Sequence, residues 1–127
     1  MPSRLKIFFD GGCRPNPGAM EIAVVAAGKT YIDRDLGQGT SADAEWLALI
    51  HAVRIAQSLG FGEFVLLGDA VSIIGQANGT VKCRGSGVGH LETLRAMASA
   101  GPLLRIRYIK RTQNLAGIAL DRTRPTC

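Results

Sequence analysis

The chain has 127 residues, the length of one domain where domains usually run to roughly 100–200 residues, and residues 1–127 are expected to form a single unit. Hydrophobic residues at 46% and charged residues at 20% lie close to soluble globular averages and exclude disorder and collagen-like repeats. A formal net charge of +5 keeps an anionic partner such as nucleic acid open without requiring one.

The distribution of charge says more than its sum. Residues 1–69 carry six basic and eight acidic side chains, whereas residues 70–127 carry nine basic and two acidic. Acids crowd one part of the sequence and bases the other, as suits a carboxylate site served by a separate phosphate-attracting surface. Cys13, Cys83 and Cys127 are widely spaced and form no CxxC pair, so neither a disulfide framework nor a zinc site is indicated. The Met-Pro-Ser-Arg start has no signal-like pattern, and the apolar run at 22–27 is far short of the roughly 20 residues that span a bilayer. The expectation is a cytoplasmic protein with no membrane association.

In chain order, residues 5–10 alternate as a strand, with Leu5, Ile7 and Phe9 on one face and Lys6, Phe8 and Asp10 on the other. The Gly-Gly-Cys-Arg-Pro-Asn-Pro-Gly run at 11–18 reads as a loop. Two β-like runs, 22–27 and 30–36, flank Gly28-Lys29 and predict a hairpin. Residues 43–59 predict a helix with Ala48, Ala52, Ile55 and Leu59 on one stripe, ended by Gly60. The continuous apolar run at 64–67, bounded by glycines, predicts a central strand with Asp69 just past its end.

Residues 71–77 predict a short helix, Asn78-Gly79 a turn, and 82–89 a basic, glycine-rich loop. A helix over 90–100 would turn Leu91, Leu94 and Met97 or Ala98 inward, a strand over 104–109 would carry Arg105 and Arg107 on its polar face, and a last short helix is predicted over 114–122. The order βββαβααβα predicts an α/β fold with a five-stranded mixed sheet, an antiparallel meander followed by parallel strands, and helices on both faces.

Three carboxylates stand at element ends: Asp10 closing the first strand, Glu45 in the first turn of the main helix, and Asp69 after the central strand. Sites in open α/β sheets lie beyond the carboxyl ends of the strands, where Asp10 and Asp69 converge if the first and fourth strands are neighbours. A helix packed across the sheet would add Glu45. Three hard oxygen donors so gathered suit Mg²⁺ or Mn²⁺, and without a cation or shared protons their repulsion would destabilise the fold.

The blocks at 8–18 (Phe-Phe-Asp-Gly-Gly-Cys-Arg-Pro-Asn-Pro-Gly), 40–50 around Ala44-Glu45, 67–69 (Leu-Gly-Asp) and 111–114 (Arg-Thr-Gln-Asn) resemble, in order and spacing, the motifs of type 1 ribonuclease H, in its compact branch without a basic handle helix. The resemblance implies a ribonuclease H-like fold and endonucleolytic hydrolysis of the RNA strand of an RNA/DNA hybrid, leaving 3′-hydroxyl and 5′-phosphate ends. It implies two Mg²⁺ ions, replaceable by Mn²⁺, with Asp10 bridging them, Asp69 on the nucleophile side and Glu45 on the leaving-group side. Gly11, Gly12, Cys13, Asn16 and Glu45 are the implied contacts to ribose and phosphate, Thr40 to a phosphate of the DNA strand, and Arg111 to substrate. No obligate protein partner is indicated, and a monomer is expected.

The sequence departs from that pattern at one telling place. Four residues after Asn114, where the family carries a fourth acid, stands Ile118, which neither ligates a metal nor accepts a proton. Asp121 follows three residues later, and i and i+3 share a helix face, so Asp121 is the candidate fourth acid; its alternative is a solvated charge pairing with Arg122 or Arg124. Ser41-Ala42 and Ala70 also differ from the usual residues. Ile118 supports a rival reading, a non-catalytic hybrid- or duplex-binding module of the same fold, while a related DNA nuclease is the third. His51 and His90 have no motif context, and Trp46 reads as core or groove wall. Lys82, Arg84, Arg105, Arg107, Lys110 and Arg111 supply the basic surface.

Overall fold

A computed structural model describes residues 5–60, 63–99 and 104–123. Strand β1 (Leu5–Cys13) runs antiparallel to β2 (Gly18–Ala26), which pairs in turn with β3 (Lys29–Asp33) and, off the main path, with the two-residue β4 (Gln38–Gly39). Helix α1 (Ser41–Ser58) crosses to β5 (Phe64–Gly68), which lies parallel to β1 on one side and to β6 (Ile106–Tyr108) on the other. Helices α2 (Val71–Ala77) and α3 (Gly87–Ala98) precede β6; a 3₁₀ turn (Arg111–Gln113) and α4 (Leu115–Thr123) follow it. The sheet order is β3-β2-β1-β5-β6, a mixed sheet of six strands where the sequence predicted five.

Helices cover both faces. The inward row Ile7, Phe9, Ile22 and Val24 packs with Trp46, Leu49 and Val53 of α1 and with Leu91 and Leu94 of α3. On the opposite face Ala116 and Leu120 of α4 pack on Ala23, flanked by Phe8, Val25 and Ile32. All five residues of β5 are buried, since a strand between two parallel neighbours in a covered sheet has no solvent face. That is why its sequence is a continuous apolar run.

Several boundaries differ from the predicted ones. Gly11, Gly12 and Cys13 belong to β1 rather than to a loop, paired with Ile22, Glu21 and Met20; a partner strand overrides the turn preference of glycine. The hairpin turns on Ala27 and Gly28, both at positive φ (52° and 76°), and Lys29 already pairs with Ala26, so the centre sits one residue earlier than predicted. β3 stops at Asp33, short of the predicted 36. Helix α3 begins three residues early, at Gly87, and β6 is shorter than 104–109. Leu59, predicted on the buried stripe of α1, is 39% exposed and serves as its C-cap, with Gly60 following at φ 73°.

Helix α1 starts at Ser41 because Thr40 caps it. The Thr40 hydroxyl accepts from the Asp43 amide, and the Asp43 carboxylate accepts from the Thr40 amide, a reciprocal capping box. Ser86 also donates to Asp43 (2.7 Å), and this bond leads the interactions that hold its carboxyl down to about 2.

Close approach of β1 and α1 depends on Gly11. A Cβ there would lie 2.3 Å from the Ala44 carbonyl oxygen, a backbone atom that cannot swing aside. Gly11→Ala is expected to cost about 1–3 kcal/mol of stability, read as a lower urea midpoint at unchanged m-value. A midpoint equal to wild type would show that the strand and helix separate freely.

Candidate active site

Phe8 of β1 stands opposite Leu67 of β5 in parallel register. Asp10 and Asp69 each lie two residues further on, so the register alone carries both carboxylates to the same edge of the sheet. Glu45 arrives from the face, one turn into α1, and the Gly11 amide donates to its Oε1 at 3.1 Å. The ligand oxygens of Asp10, Glu45 and Asp69 come within 4.8 Å of one another. The three acids predicted from the sequence therefore converge.

Their environment is unfavourable to charge. Burial pushes the Glu45 carboxyl up to about 9, with the negative charge of Asp10 adding to the rise. Burial likewise lifts Asp10, which stands at about 6 once the hydrogen bond with Glu45 and the Arg111 guanidinium, which lower it, and the charges of Asp69 and Asp121, which raise it, have acted. Glu45 Oε2 is buried with no hydrogen-bond partner among the described residues. A buried oxygen left without a donor is costly unless a cation or proton meets it. Three clustered hard oxygen donors, one of them orphaned, fit a divalent cation of the Mg²⁺ or Mn²⁺ type.

The position of Asp69 is held from α4's side. Asn114, fully buried, donates through Nδ2 to the Phe9 carbonyl at 3.0 Å and to Asp69 Oδ2 at 3.4 Å, while its Oδ1 accepts from the Ala116 amide. One carboxamide thus ties together the middle of β1, the third acid and the first turn of α4. The sequence marked Asn114 only as part of a motif. Its buried role was hidden because nothing local distinguishes a core asparagine from a turn asparagine.

A 280 Å³ cavity opens over the acids, lined by Gly11, Gly12, Cys13, Arg111 and Asp121 along with Asp10, Glu45 and Asp69. Cys13 is buried in the strand, its thiol facing Asn16 Oδ1 and Gly39 O, not an exposed loop residue. Asn16 and Thr40 do not line this cavity. Asn16 accepts from the Ser41 amide at 3.0 Å, and Thr40 is occupied as the cap of α1. Arg14, Ser41 and Leu120 also line it; of these the sequence had singled out only Ser41, as a departure from the family pattern. Gly117 faces the acids, since a Cβ on it would come within 3.2 Å of Asp10 Oδ2. Ile118 is half-buried, and the exposed Asp121 stands one turn beyond Gly117.

A mixed sheet with paired acids at its carboxyl edge, a third acid from a helix laid across it, and helices on both faces defines the ribonuclease H-like class of fold. The chain belongs to the reverse transcriptase-like family, whose model matches residues 9–120. Its structure is similar to that of RNase H1 from the halophilic archaeon Halobacterium salinarum, with a TM-score of 0.82 and 26% identity over 95% of this chain and 100% of that one. It is also similar to LC11-RNase H1 in complex with an RNA/DNA hybrid, with a TM-score of 0.81 and 25% identity over 88% and 89% of the two chains. The N-terminal RNase H domain of Rv2228c from Mycobacterium tuberculosis, solved as a fusion with maltose-binding protein, gives a TM-score of 0.78 and 25% identity over 95% and 96%. No curated protein matches the sequence. Among the described residues no helix is long and apolar enough to cross a membrane.

The raised carboxyls fix a pH dependence. A group whose folded pKa lies above its unfolded value retains a proton that the unfolded chain has lost, so stability falls as pH rises between the two values. For Asp10 that window runs from 3.8 to about 6, and for Glu45 from 4.5 to about 9. In chelator, the melting temperature is expected to fall from pH 5 to pH 9 by more in wild type than in Glu45→Gln, and Mg²⁺ should restore it in wild type. Parallel profiles for the two proteins would refute this electrostatic account.

Proposed function

We propose that the chain is a metal-dependent endoribonuclease that hydrolyses the RNA strand of RNA/DNA hybrids, leaving 3′-hydroxyl and 5′-phosphate ends. The observation that carries this reading is the convergence of Asp10, Glu45 and Asp69 around a buried Glu45 oxygen that has no hydrogen-bond partner among the described residues. The hybrid bound by a solved structure so similar in fold supports the substrate class.

Asp10, Glu45 and Asp69 would hold two divalent cations, Mg²⁺ or Mn²⁺. Bound there, such cations lower the pKa of water and stabilise charge on a leaving oxygen. The chain's own groups keep the acids in place: the Gly11 amide fixes one oxygen of Glu45, and Asn114 links Asp69 to the Phe9 carbonyl of β1. Arg111, on the cavity wall beside Asp10, offers the cation to which a phosphate is drawn. Gly12 and Cys13 line the approach to the ribose, and Asn16 and Thr40 act at its margin by ordering the start of α1. Asp121 takes the part of the fourth acid: it shares the cavity with Asp10 and acts on its charge.

Ile118 favours a second reading, a hybrid-binding module without catalysis. A labelled RNA/DNA hybrid incubated with Mg²⁺ or Mn²⁺ separates the two. Cleavage of the RNA strand is expected, reduced on the order of a hundredfold or more by Asp10→Asn; binding with no cleavage in either metal would establish the module instead. Asp121→Asn is expected to raise the metal concentration needed for half-maximal rate, and an unchanged metal requirement would remove Asp121 from the site.

A further inference from the structure

Next to the acid cavity, and sharing Ser41 and Glu45 with it, lies a second groove of about 340 Å³. One wall is Trp46 of α1, another is α2 with Ile73 and Gln76, and the third is the segment from Arg84 to Gly87 that leads into α3. That third wall carries Arg84, and side-chain hydrogen bonds tie it to the neighbouring helices.

We propose that Asp43 and Ser86 form a latch that fixes the Arg84-bearing segment 82–87 as a wall of the substrate groove, making both of them positioning residues for nucleic-acid binding. Asp43 divides its two oxygens. Oδ2 serves the cap of its own helix, accepting from the Thr40 amide at 3.3 Å and the Thr40 hydroxyl at 3.0 Å. Oδ1 reaches across to α3, accepting from the Ser86 hydroxyl at 2.7 Å and facing His90 Nε2 at 3.1 Å.

Ser86 is the residue preceding α3, where a serine ordinarily satisfies the free amides of its own helix. It makes no such bond and donates across to Asp43 instead. A local stabilisation is given up for a link between two helices.

Other contacts hold the same segment at the same place. Cys83 Sγ donates to Gln76 Oε1 at 3.2 Å, tying the segment to α2. The His90 ring stacks on Trp46, with centroids 6.1 Å apart and planes at 19°. At Gly87 a Cβ would sit 3.0 Å from Cys83 Sγ and 3.2 Å from Trp46 Nε1, so a side chain there would crowd both residues. Segment 82–87 is thereby bound to α1 through Asp43 and to α2 through Gln76, and Arg84 lines the groove that Glu45 also lines. A guanidinium in that position neutralises a backbone phosphate of a bound strand. Neither latch residue touches the acids, so the latch acts on binding and not on bond cleavage.

The proposal rests on the hybrid-cleaving reading, and two measurements on Ser86→Ala keep the two apart. Ser86→Ala leaves the Thr40–Asp43 cap intact, and Ser86→Thr keeps the hydroxyl. In the free protein, amide exchange over 82–87 is expected to quicken in Ser86→Ala and return to the wild-type rate in Ser86→Thr, and the emission of Trp46, the only tryptophan, is expected to shift with it. In turnover, KM for hybrid should rise about three- to tenfold, the loss expected for one ordinary intramolecular hydrogen bond, with kcat within about twofold of wild type, and Ser86→Thr should restore KM. Unchanged exchange in Ser86→Ala overturns the latch whatever the activity. Faster exchange with unchanged KM overturns its role in substrate binding. A wild-type chain that cleaves no hybrid overturns the functional reading and the substrate half of this proposal, while the exchange result stands by itself.

Discussion

Everything at the carboxyl edge of the sheet is organised around a repulsion. Asp10, Glu45 and Asp69 bring three carboxyl groups within 4.8 Å in surroundings that burial makes hostile to charge. A protein selected for stability alone would place apolar side chains there. The core beneath offsets the cost: Ile7, Phe9, Leu49 and Leu66 are fully shielded from water, each contributing about 1.5–3 kcal/mol on burial. The strained edge is carried by a well-packed interior, and the cluster is tolerable because a cation or retained protons can compensate it.

Precision in that cluster comes from backbone as much as from side chains. Parallel pairing of β1 with β5 sets Asp10 opposite Asp69, since residues equally far beyond a paired position stay level in a parallel ladder. The missing side chain at Gly11 lets α1 approach until the Gly11 amide meets Glu45. Asn114 then closes the arrangement from the other face, with every polar atom of its buried carboxamide engaged along one path from β1 to α4. Such a fully satisfied buried polar group specifies a single arrangement where an apolar residue would permit several.

The segment between β5 and β6 follows a different logic. Its helices pack into the core through Ile73, Ile74, Leu91 and Leu94, while the basic loop between them is tied to α1 and α2 by polar bonds and stands beside the Trp46–His90 stack. Histidine 90 has no motif around it in sequence; its partners, Asp43 and Trp46, lie more than forty positions away. Long-range polar pairings of this kind leave no periodic trace, because one bond fixes one pair and imposes no pattern on the neighbours.

What the sequence determined by itself is whatever repeats or accumulates locally. The buried run at 64–67, the alternation of 5–10, the helical stripe through Ala48, Ala52 and Ile55, and the helix over 71–77 all reflect a period matched to one buried face. The acids Asp10, Glu45 and Asp69 were legible because each follows or opens a patterned run, although Asp10 lies within β1 and not at its end. Tertiary structure decided the rest. It drew Gly11–Cys13 into β1 by supplying a partner strand, moved the hairpin to Ala27-Gly28, added β4, and buried Asn114. It also placed Gly117 against Asp10 and set Asp121 on the cavity wall. The reason is physical: periodicity fixes which face of an element is apolar, but only packing fixes how far one element slides along another, and that distance decides which side chain meets the acids.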